Sequence, residues 1–348
     1  MWNPASNWQH SASPRARLTR CVVALALSAT ATGLSAEVKL LNVSYDLTRE
    51  FYQQFNPLFA DYWKKKTGDT VIITQSHGGS SKQSRAVVDG LDADVVTMNQ
   101  PLDIAFLHEH GHLIPSDWSS RLPNRSVPYT STIVFVVRKG NPKHISDWDD
   151  LVRPGVSVVI PNPKTSGNGR YAYLAAWGYA LKKSAGDEAR ARLFVARLFW
   201  GVPVLDTGGR GATTTFAQRA IGDVLLTFES ESALILREQG GEQLDVVSPP
   251  MSVVAENPVV WVDKTAARHG TERVARAYLQ FLYSEAGQEL AARFNFRPQN
   301  PAVLAKHRDQ FKPIDLFTVG EIAGGWEKAF KTHFTEGGIF DQIHQTMK

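Results

Sequence analysis

Short apolar runs alternate with amphipathic helical patterns along the first third of the chain. Val38–Tyr45 (VKLLNVSY) predicts a buried strand, and Asp46 opens a helical pattern that continues to about Thr67. The alternation repeats, with strands predicted at Thr70–Thr74 and Asp94–Met98 and helices at about 80–91 and 102–110. Strands that alternate with helices in this way are typical of a parallel sheet with right-handed crossovers.

A long β-rich run, Thr130–Arg138 (TSTIVFVVR), predicts a crossing into a second lobe. The alternation then restarts, with strands predicted at 156–160, 202–205 and 223–228 and helices at about 166–183, 209–220 and 231–239. Residues 246–254 and 259–262 predict a return crossing, and helical patterns at 271–283 and 285–294 close the first lobe. We therefore expect residues 37–129 and 256–348 in lobe 1 and residues 130–255 in lobe 2. Two α/β lobes joined by two hinge crossings form a clamshell that can close on a ligand.

The first 36 residues have the pattern of an export signal. Arg15, Arg17 and Arg20 precede an apolar stretch from Cys21 to Leu34, which is short for a membrane span. Small residues then offer a cleavage point near Ala36. We expect cleavage and release into the periplasm, not anchoring.

Cleavage would leave 312 residues, with 35 Lys and Arg against 34 Asp and Glu and without the single cysteine. A formal charge of +1 in place of +4 argues against a nucleic-acid-binding face. A chain without cysteine suits an oxidising compartment. Its length exceeds one ordinary hydrophobic core, in agreement with two lobes.

The chemistry lies in four turns that precede predicted helices. They are Ser44-Tyr45-Asp46, residues 76–81 (SHGGSS), residues 165–169 (TSGNG) and residues 207–211 (TGGRG). Each places small or capping residues where a helix begins, and such positions leave backbone N–H groups unpaired and carry partial positive charge. Because two turns come from each predicted lobe, a closed cleft would surround an anion with donors.

Long ordered motifs make the chain resemble the periplasmic sulfate- and thiosulfate-binding proteins of bacterial ABC transporters. The motifs are LLNVSYDLTRE (40–50), QSHGGSSKQ (75–83), PYTSTIVFVVRKGNPK (128–143), IPNPKTSGNGRY (160–171), LDTGGRGATTTF (205–216) and IGDVLLTFESE (221–231). The resemblance covers essentially the whole chain after the signal. It implies the type II clamshell of periplasmic binding proteins, an inner-membrane ABC permease as partner, a monomer, and no cofactor.

The resemblance also implies which residues hold the anion. Backbone N–H donors fall on Asp46, Ser80, Gly167, Asn168 and Gly209, and the serine hydroxyl falls on Ser166. The family's indole position is Phe228 here, and phenylalanine supplies no hydrogen bond. Beside these, Arg49, His77 and Arg210 are candidates for residues that act behind the direct contacts.

The Phe228 position bears on the choice between the two anions. The terminal sulfur of thiosulfate is larger than oxygen and accepts hydrogen bonds poorly, and a phenyl face tolerates it. TFESE and KTSGN also resemble the thiosulfate-binding branch of the family. We therefore expect thiosulfate to bind at least as well as sulfate. For Asp46, we expect the carboxylate to cap its own helix and to turn away from the anion, while its backbone N–H serves the ligand.

Several alternatives remain open. His108-Glu109-His110-Gly111-His112 fits the H-E-x-x-H zinc motif of a secreted zinc metalloprotease, although Gly111 predicts a helix stop before His112. Two further alternatives are a receptor for another tetrahedral oxyanion and an exported enzyme that acts on sulfate esters. Nucleotide binding is disfavoured, because neither the P-loop nor the dinucleotide pattern fits the glycine-rich segments.

Overall fold

The computed structural model describes residues 37–239 and 242–345 of the 348-residue chain. The predicted signal peptide, residues 1–36, lies outside the described residues. No helix within the described ranges combines the length and the apolar composition needed to cross a bilayer.

The strands form two sheets. In chain order they are β1 (Glu37–Tyr45), β2 (Thr70–Gly78), β3 (Val95–Thr97), β4 (Tyr129–Arg138), β5 (Val158–Val159), β6 (Val224–Phe228), β7 (Leu244–Val247), β8 (Met251–Glu256), β9 (Val259–Trp261), β10 (Arg297–Pro298) and β11 (Asp315–Phe317). The first sheet has the order β2-β1-β3-β9, and the second has the order β11-β8-β4-β6-β5. Strands β7 and β10 both pair with β4.

Helices surround both sheets. In chain order they are α1 (Arg49–Thr67), α2 (Ser80–Val88), α3 (Pro101–Glu109), α4 (Pro123–Ser126), α5 (Gly167–Lys183), α6 (Glu188–Trp200), α7 (Gly209–Thr213), α8 (Glu229–Gln239), α9 (Asp263–His269), α10 (Glu272–Phe281), α11 (Glu285–Arg293), α12 (Pro301–Lys306), α13 (Val319–Ala323), α14 (Trp326–Ala329) and α15 (Ile339–Gln345). Short 3₁₀ turns at Asp46–Thr48, Trp118–Ser120 and Trp148–Val152 and π turns at Thr214–Gln218 and Phe330–Phe334 complete the elements.

The first sheet is parallel through its first three strands, as the alternating pattern predicted. β1 pairs in parallel with β2 from Glu37↔Thr70 to Tyr45↔Gly78, and also in parallel with β3. Only β9 runs antiparallel, against β3. The carboxyl ends of β1, β2 and β3 therefore meet at one edge of the sheet, where ligand sites of such sheets form.

Helix α1 is held against the first sheet by an aromatic stripe. Phe51, Phe55 and Phe59 recur every four residues and are buried on one face of the helix. The rings of Phe55 and Phe59 both meet Tyr278 of α10 edge-on, with ring centroids 5.1 Å apart in each pair. This packing holds α1 beside the sheet, and the 3₁₀ turn Asp46–Thr48 connects it to the end of β1.

The second sheet is mixed, in contrast to the mostly parallel sheet expected for this lobe. β4 pairs antiparallel with β6, β7, β8 and β10, whereas the β5–β6 and β8–β11 pairs are parallel. β4 also connects two cores, because Tyr129 lies in the cluster under the first sheet and Ile133 in the cluster under the second. Its first residues pair with the end of β8, Thr130 with Glu256, so the two predicted crossings run side by side.

The C-terminal segment divides between the two cores, which differs from the placement of all of 256–348 in lobe 1. Tyr278 and Leu290 pack under the first sheet. From β11 onward, Phe317, Phe334 and Phe340 are buried in the cluster of the second sheet. The apolar residues of either segment do not by themselves say which of the two cores they will meet. The remaining lobe boundaries stay predictions.

The predicted strand at 202–205 is wrong. These residues follow α6 as an extended connection, and the sheet next receives β6. Helix α6 was not predicted, although the Asp187 carboxylate caps it by accepting from the backbone N–H groups of Ala189 and Arg190. A four-residue apolar run with a proline does not distinguish a buried strand from a buried connection.

Candidate functional site

All four predicted turns begin a helical segment in the structure. Asp46 opens a 3₁₀ turn that leads into α1, and Gly79 precedes Ser80 at the start of α2. Ser166 caps α5, and Gly208 precedes Gly209 at the start of α7. The first two follow β1 and β2 at one edge of the first sheet. The turn before α7 follows a connection instead of the predicted strand.

The start of α2 meets the start of α5 through Asn99. The backbone N–H of Asn99 donates to Ser80 Oγ at 3.5 Å. On the other side, a Cβ atom placed on Gly167 would lie only 2.4 Å from Asn99 Oδ1. A side chain at residue 167 would displace the Asn99 amide from this place. Ser80, Asn99 and Gly167 therefore form a continuous wall between the first sheet and α5.

The other two turns close the site from the opposite side. A Cβ atom on Gly209 would lie 3.2 Å from Asn168 Nδ2 and 3.5 Å from Leu47 Cδ1, and one on Gly208 would lie 3.9 Å from Asp46 Oδ2. The turns before α5 and α7 are also tied together directly, because Thr165 Oγ1 donates to the Thr207 carbonyl oxygen at 3.0 Å. Residues predicted from four separate motifs thus converge in one place.

A cavity of about 630 Å³ opens at this convergence. Its lining residues come from all four turns and from basic side chains beside them, namely Asp46, Gly79, Ser81, Lys82, Arg85, Lys164, Thr165, Thr207, Gly208 and Gly211. Lysine and arginine at the rim attract anions before any contact is made.

Ser166 and Asn168 arrange the first turn of α5. Ser166 Oγ accepts from the Gly169 backbone N–H at 3.3 Å, which leaves the hydroxyl its own proton to donate. Asn168 Nδ2 donates to Thr227 Oγ1 at 3.0 Å and so ties the helix start to β6. Asn168 Oδ1 is buried and has no hydrogen-bond partner within the described part of the chain.

Phe228 ends β6 beside this turn. The residue is 2% exposed, and its ring packs edge-on against Tyr171 with centroids 5.6 Å apart. It belongs to the core of the second sheet. The aromatic ring at this position therefore supplies apolar surface and no hydrogen bond.

The Asp46 side chain does not cap its turn by the expected geometry, since Tyr45 is the cap residue and makes no side-chain capping bond. Burial raises the pKa of the Asp46 carboxyl, while Arg210 and the backbone N–H groups of Asp46 and Leu47 oppose the rise. Asp46 lines the cavity, and its carboxylate accepts from the backbone N–H groups at the start of its own turn.

His77 supports the peptide group that ends β1. Its Nδ1 lies 3.3 Å from the Tyr45 carbonyl oxygen, and its Nε2 contacts the Gln75 side chain. Burial lowers the pKa of His77, so the ring is neutral near pH 7, and in the tautomer with the proton on Nδ1 it donates to that carbonyl oxygen. The Tyr45 carbonyl and the Asp46 N–H belong to one peptide unit, and this bond polarises that unit towards donation.

Arg210 links the two halves of the site. Its Nη2 donates to both carboxylate oxygens of Glu50, at 2.9 and 2.8 Å. Glu50 lies in the first turn of α1, next to Arg49, which is exposed. Of the three residues expected behind the direct contacts, His77 and Arg210 have defined partners there.

Three further residues at the site were not predicted. Asn99 is one; the second is Arg170, which is 4% exposed and donates to Ser81 Oγ at 3.0 Å and to the Lys164 carbonyl at 3.3 Å. The third is Glu231, whose pKa burial raises to about 8 against the opposing charge of Arg210. The motifs NGRY and TFESE contain Arg170 and Glu231, but their roles depend on partners distant in sequence.

The zinc motif does not form a site. Helix α3 ends at Glu109, and His112 lies beyond it with a positive φ of 47°, so the predicted helix stop is confirmed. His108 Nδ1 lies 2.9 Å from the Ile114 carbonyl oxygen. Across residues 37–239 and 242–345, no group of three or more His, Cys, Asp or Glu side chains is placed to hold a metal ion.

Comparison with known proteins gives relatives over most of the chain. The model of a family described as bacterial extracellular solute-binding protein matches residues 48–297. The chain is 56% identical over 305 residues to the thiosulfate-binding protein of Pseudomonas aeruginosa, which covers 88% of this chain and 92% of that protein. It is 52% identical over 317 residues to the sulfate-binding protein of Salmonella typhimurium, with 91% and 96% covered.

Solved structures agree. The sulfate-binding protein SubI from Mycobacterium tuberculosis H37Rv superimposes with a TM-score of 0.76 at 32% identity, over 85% of this chain and 99% of that one. A periplasmic thiamin-binding protein, at 16% identity, shares the fold with a TM-score of 0.63 over 89% and 96% of the two chains. The chain therefore belongs to the bacterial extracellular solute-binding protein family and has the two-lobed fold of the type II periplasmic binding proteins.

Proposed function

We propose that this chain is a periplasmic receptor that captures thiosulfate and sulfate and delivers them to an ABC importer. The observation that carries the proposal is the convergence of four helix starts, two from each half of the molecule, on one cavity. Relatives that are 56% and 52% identical are named thiosulfate- and sulfate-binding proteins.

The site suits a dianion because its direct donors are neutral. Backbone N–H groups of Asp46, Ser80, Gly167, Asn168 and Gly209 and the hydroxyl of Ser166 are the proposed contacts. Helices α2 and α5 are long enough to add their positive ends to the field. The 3₁₀ turn at Asp46 and helix α7, which has five residues, are short. They therefore contribute N–H donors more than a helix dipole.

Rejection of phosphate follows from its remaining proton. Near neutral pH, phosphate carries a proton that needs an acceptor, whereas sulfate and thiosulfate carry none. A backbone N–H and a serine hydroxyl donated to the ligand offer no such acceptor, and an unpaired buried donor costs about 1–3 kcal/mol. This argument requires that the Asp46 carboxylate stays on its own turn.

Capture would proceed by closure of the two halves over the anion. The Arg210–Glu50 ion pair and the Arg170–Ser81 hydrogen bond join residues of the two halves. Such contacts stabilise a closed form, and binding shifts the population towards it. We propose that a monomer in this form docks on an inner-membrane permease and that the protein binds without catalysing a reaction.

Isothermal titration of the mature protein tests the proposal. The protein is first stripped of ligand by unfolding and refolding, and is then titrated with thiosulfate, sulfate and phosphate. We expect one-to-one binding of thiosulfate and sulfate and none of phosphate. A folded sample that binds neither sulfur anion would refute the receptor. Turnover of an aryl sulfate would instead support the enzyme alternative.

A further inference from the structure

Asn99 lies in the connection between β3 and α3, and the described contacts place it in the wall of the site. We infer that the Asn99 side chain donates a hydrogen bond to the bound anion and favours an oxygen over a sulfur at that point. The inference rests on the proposed function and adds a side-chain contact from the first-sheet half of the site, in a position that none of the predicted motifs includes.

The position of the amide is the first argument. A Cβ atom on Gly167 would lie 2.4 Å from Asn99 Oδ1 and 2.9 Å from Nδ2. Both terminal atoms of the amide therefore lie against the first residue of α5, where the backbone N–H groups of that helix are unpaired. The Ser80 hydroxyl, at the start of α2, holds the Asn99 backbone on the other side.

The missing partner is the second argument. Asn99 is 5% exposed, yet its Oδ1 has no hydrogen-bond partner among the residues that the structure describes. Asn168, at the same site, also has a buried Oδ1 without a partner, whereas buried asparagines away from the site differ. The Oδ1 atoms of Asn42, Asn56 and Asn257 accept from Thr97, Tyr278 and Tyr45, at 3.2, 2.6 and 2.7 Å. An amide left incomplete in a buried site is explained when a ligand completes it.

The chemistry of the ligand decides which end of the amide faces it. A dianion only accepts hydrogen bonds, so the nitrogen must point to the anion. A half-turn of the side chain about its last bond exchanges oxygen and nitrogen at almost no change in shape. Asn99 therefore supplies one side-chain donor, which offsets the donor that Phe228 does not provide.

The fixed position of the Asn99 side chain gives the site its selectivity between sulfate and thiosulfate. Asn99 is held between Ser80 and Gly167, so its distance from the anion is fixed. A donor at fixed hydrogen-bond distance suits an oxygen, whereas a sulfur needs more room and accepts weakly. Removal of the amide should therefore weaken sulfate binding more than thiosulfate binding, because the larger sulfur fills the vacated space.

Two variants test the contact, Asn99→Ala and Asn99→Asp, each titrated with sulfate and thiosulfate at pH 7.5 after removal of endogenous ligand. We expect Asn99→Ala to weaken sulfate binding about tenfold or more, and thiosulfate binding less. Asn99→Asp places a negative charge against the anion in the same shape. We expect Asn99→Asp to weaken the binding of both anions by more than Asn99→Ala does. The affinity should recover as the pH is lowered and the carboxyl is protonated.

Asn56→Asp is the matched control, because Asn56 is a buried asparagine in the first core whose Oδ1 accepts from Tyr278, a bond that a carboxylate keeps. We expect it to leave both affinities unchanged. Unchanged binding in Asn99→Asp, or an equal loss in Asn56→Asp, would overturn the contact. Equal losses of affinity for sulfate and for thiosulfate in Asn99→Ala would overturn the proposed selectivity. A wild-type protein that binds neither anion would instead refute the proposed function itself.

Discussion

At the scale of single residues, the site depends on what each side chain offers an anion that only accepts hydrogen bonds. Phe228 is buried at the end of β6 and offers none. We expect Phe228→Trp to shift the preference towards sulfate, because an indole N–H is worth about 1.5–3 kcal/mol when it donates to a charge. The ratio of the two dissociation constants by calorimetry measures the shift. Phe228→Leu, which adds no donor, is the control and should produce no such shift.

Glu231 is a second residue whose environment has a measurable consequence. Burial raises its pKa from 4.5 to about 8, with Arg210 opposing and Asp46 and Glu50 adding to the rise. The folded protein therefore holds the proton more tightly than the unfolded chain. The stability that this provides is complete below about pH 4.5 and is lost as the pH rises through about 8.

Urea unfolding of the ligand-free protein between pH 5 and pH 9 tests this sign. We expect the free energy of unfolding of Glu231→Gln to fall less over this range than that of the wild type, because glutamine does not titrate. Glu336→Gln, an exposed position away from this helix, is the control. Parallel curves for wild type and Glu231→Gln would contradict the assigned burial effect.

At the scale of elements, α5 is placed by glycines that admit the backbone of its neighbours. A Cβ atom on Gly169 would lie 2.3 Å from the Pro161 carbonyl oxygen and 2.9 Å from the Asn162 carbonyl carbon. Gly169→Ala must therefore push the start of the helix away from the preceding loop. We expect a loss of about 1–3 kcal/mol in the free energy of unfolding and weaker anion binding.

Urea denaturation and calorimetry measure both effects of Gly169→Ala. The control is Gly320→Ala in α13, where the added Cβ atom would lie 3.5 Å from Thr318 Oγ1, an ordinary contact. Gly169→Ala could lower the free energy of unfolding as expected and still bind the anion as tightly as the wild type. That result would show that the start of α5 does not hold the anion.

At the scale of the whole molecule, binding depends on contacts between its two halves. Arg210 of α7 donates hydrogen bonds to both carboxylate oxygens of Glu50 in α1. The side chains are 37% and 25% exposed, so solvent reduces the strength of the pair to about 1 kcal/mol. We expect Glu50→Gln to weaken anion binding about fivefold, mainly through faster release from a less stable closed form.

Stopped-flow measurement of anion release checks the prediction for Glu50→Gln. Glu285→Gln is the control, because it removes a partner of Lys306 on the surface, where both residues belong to neighbouring segments of the C-terminal half. An unchanged release rate in Glu50→Gln would mean that this ion pair is not part of closure.

Local patterns predicted most elements near their observed positions. Apolar runs gave β1, β2, β4 and β6 to within a few residues, because buried strands need consecutive apolar side chains. Ser166 marked the start of α5 and Gly209 marked the start of α7. The first backbone N–H groups of a helix have no partner within it, so they need either a capping side chain or room for another group. The same reasoning failed at 202–205, where the apolar side chains are only partly buried and belong to a connection, not to a sheet.

By itself, the sequence determined the alternation of strands and helices, the four donor-rich turns and the family, since each is recorded in contiguous residues. Only the tertiary structure decided that β4 sits in a mixed sheet, that residues after Phe317 pack with the second core, and that Asn99, Arg170 and Glu231 join the site. These depend on which surfaces meet across more than fifty residues of chain, as in the Arg170–Ser81 and Arg210–Glu50 contacts. A residue's neighbours in sequence set its local geometry, whereas its partners across the fold set its burial, its charge and therefore its chemistry.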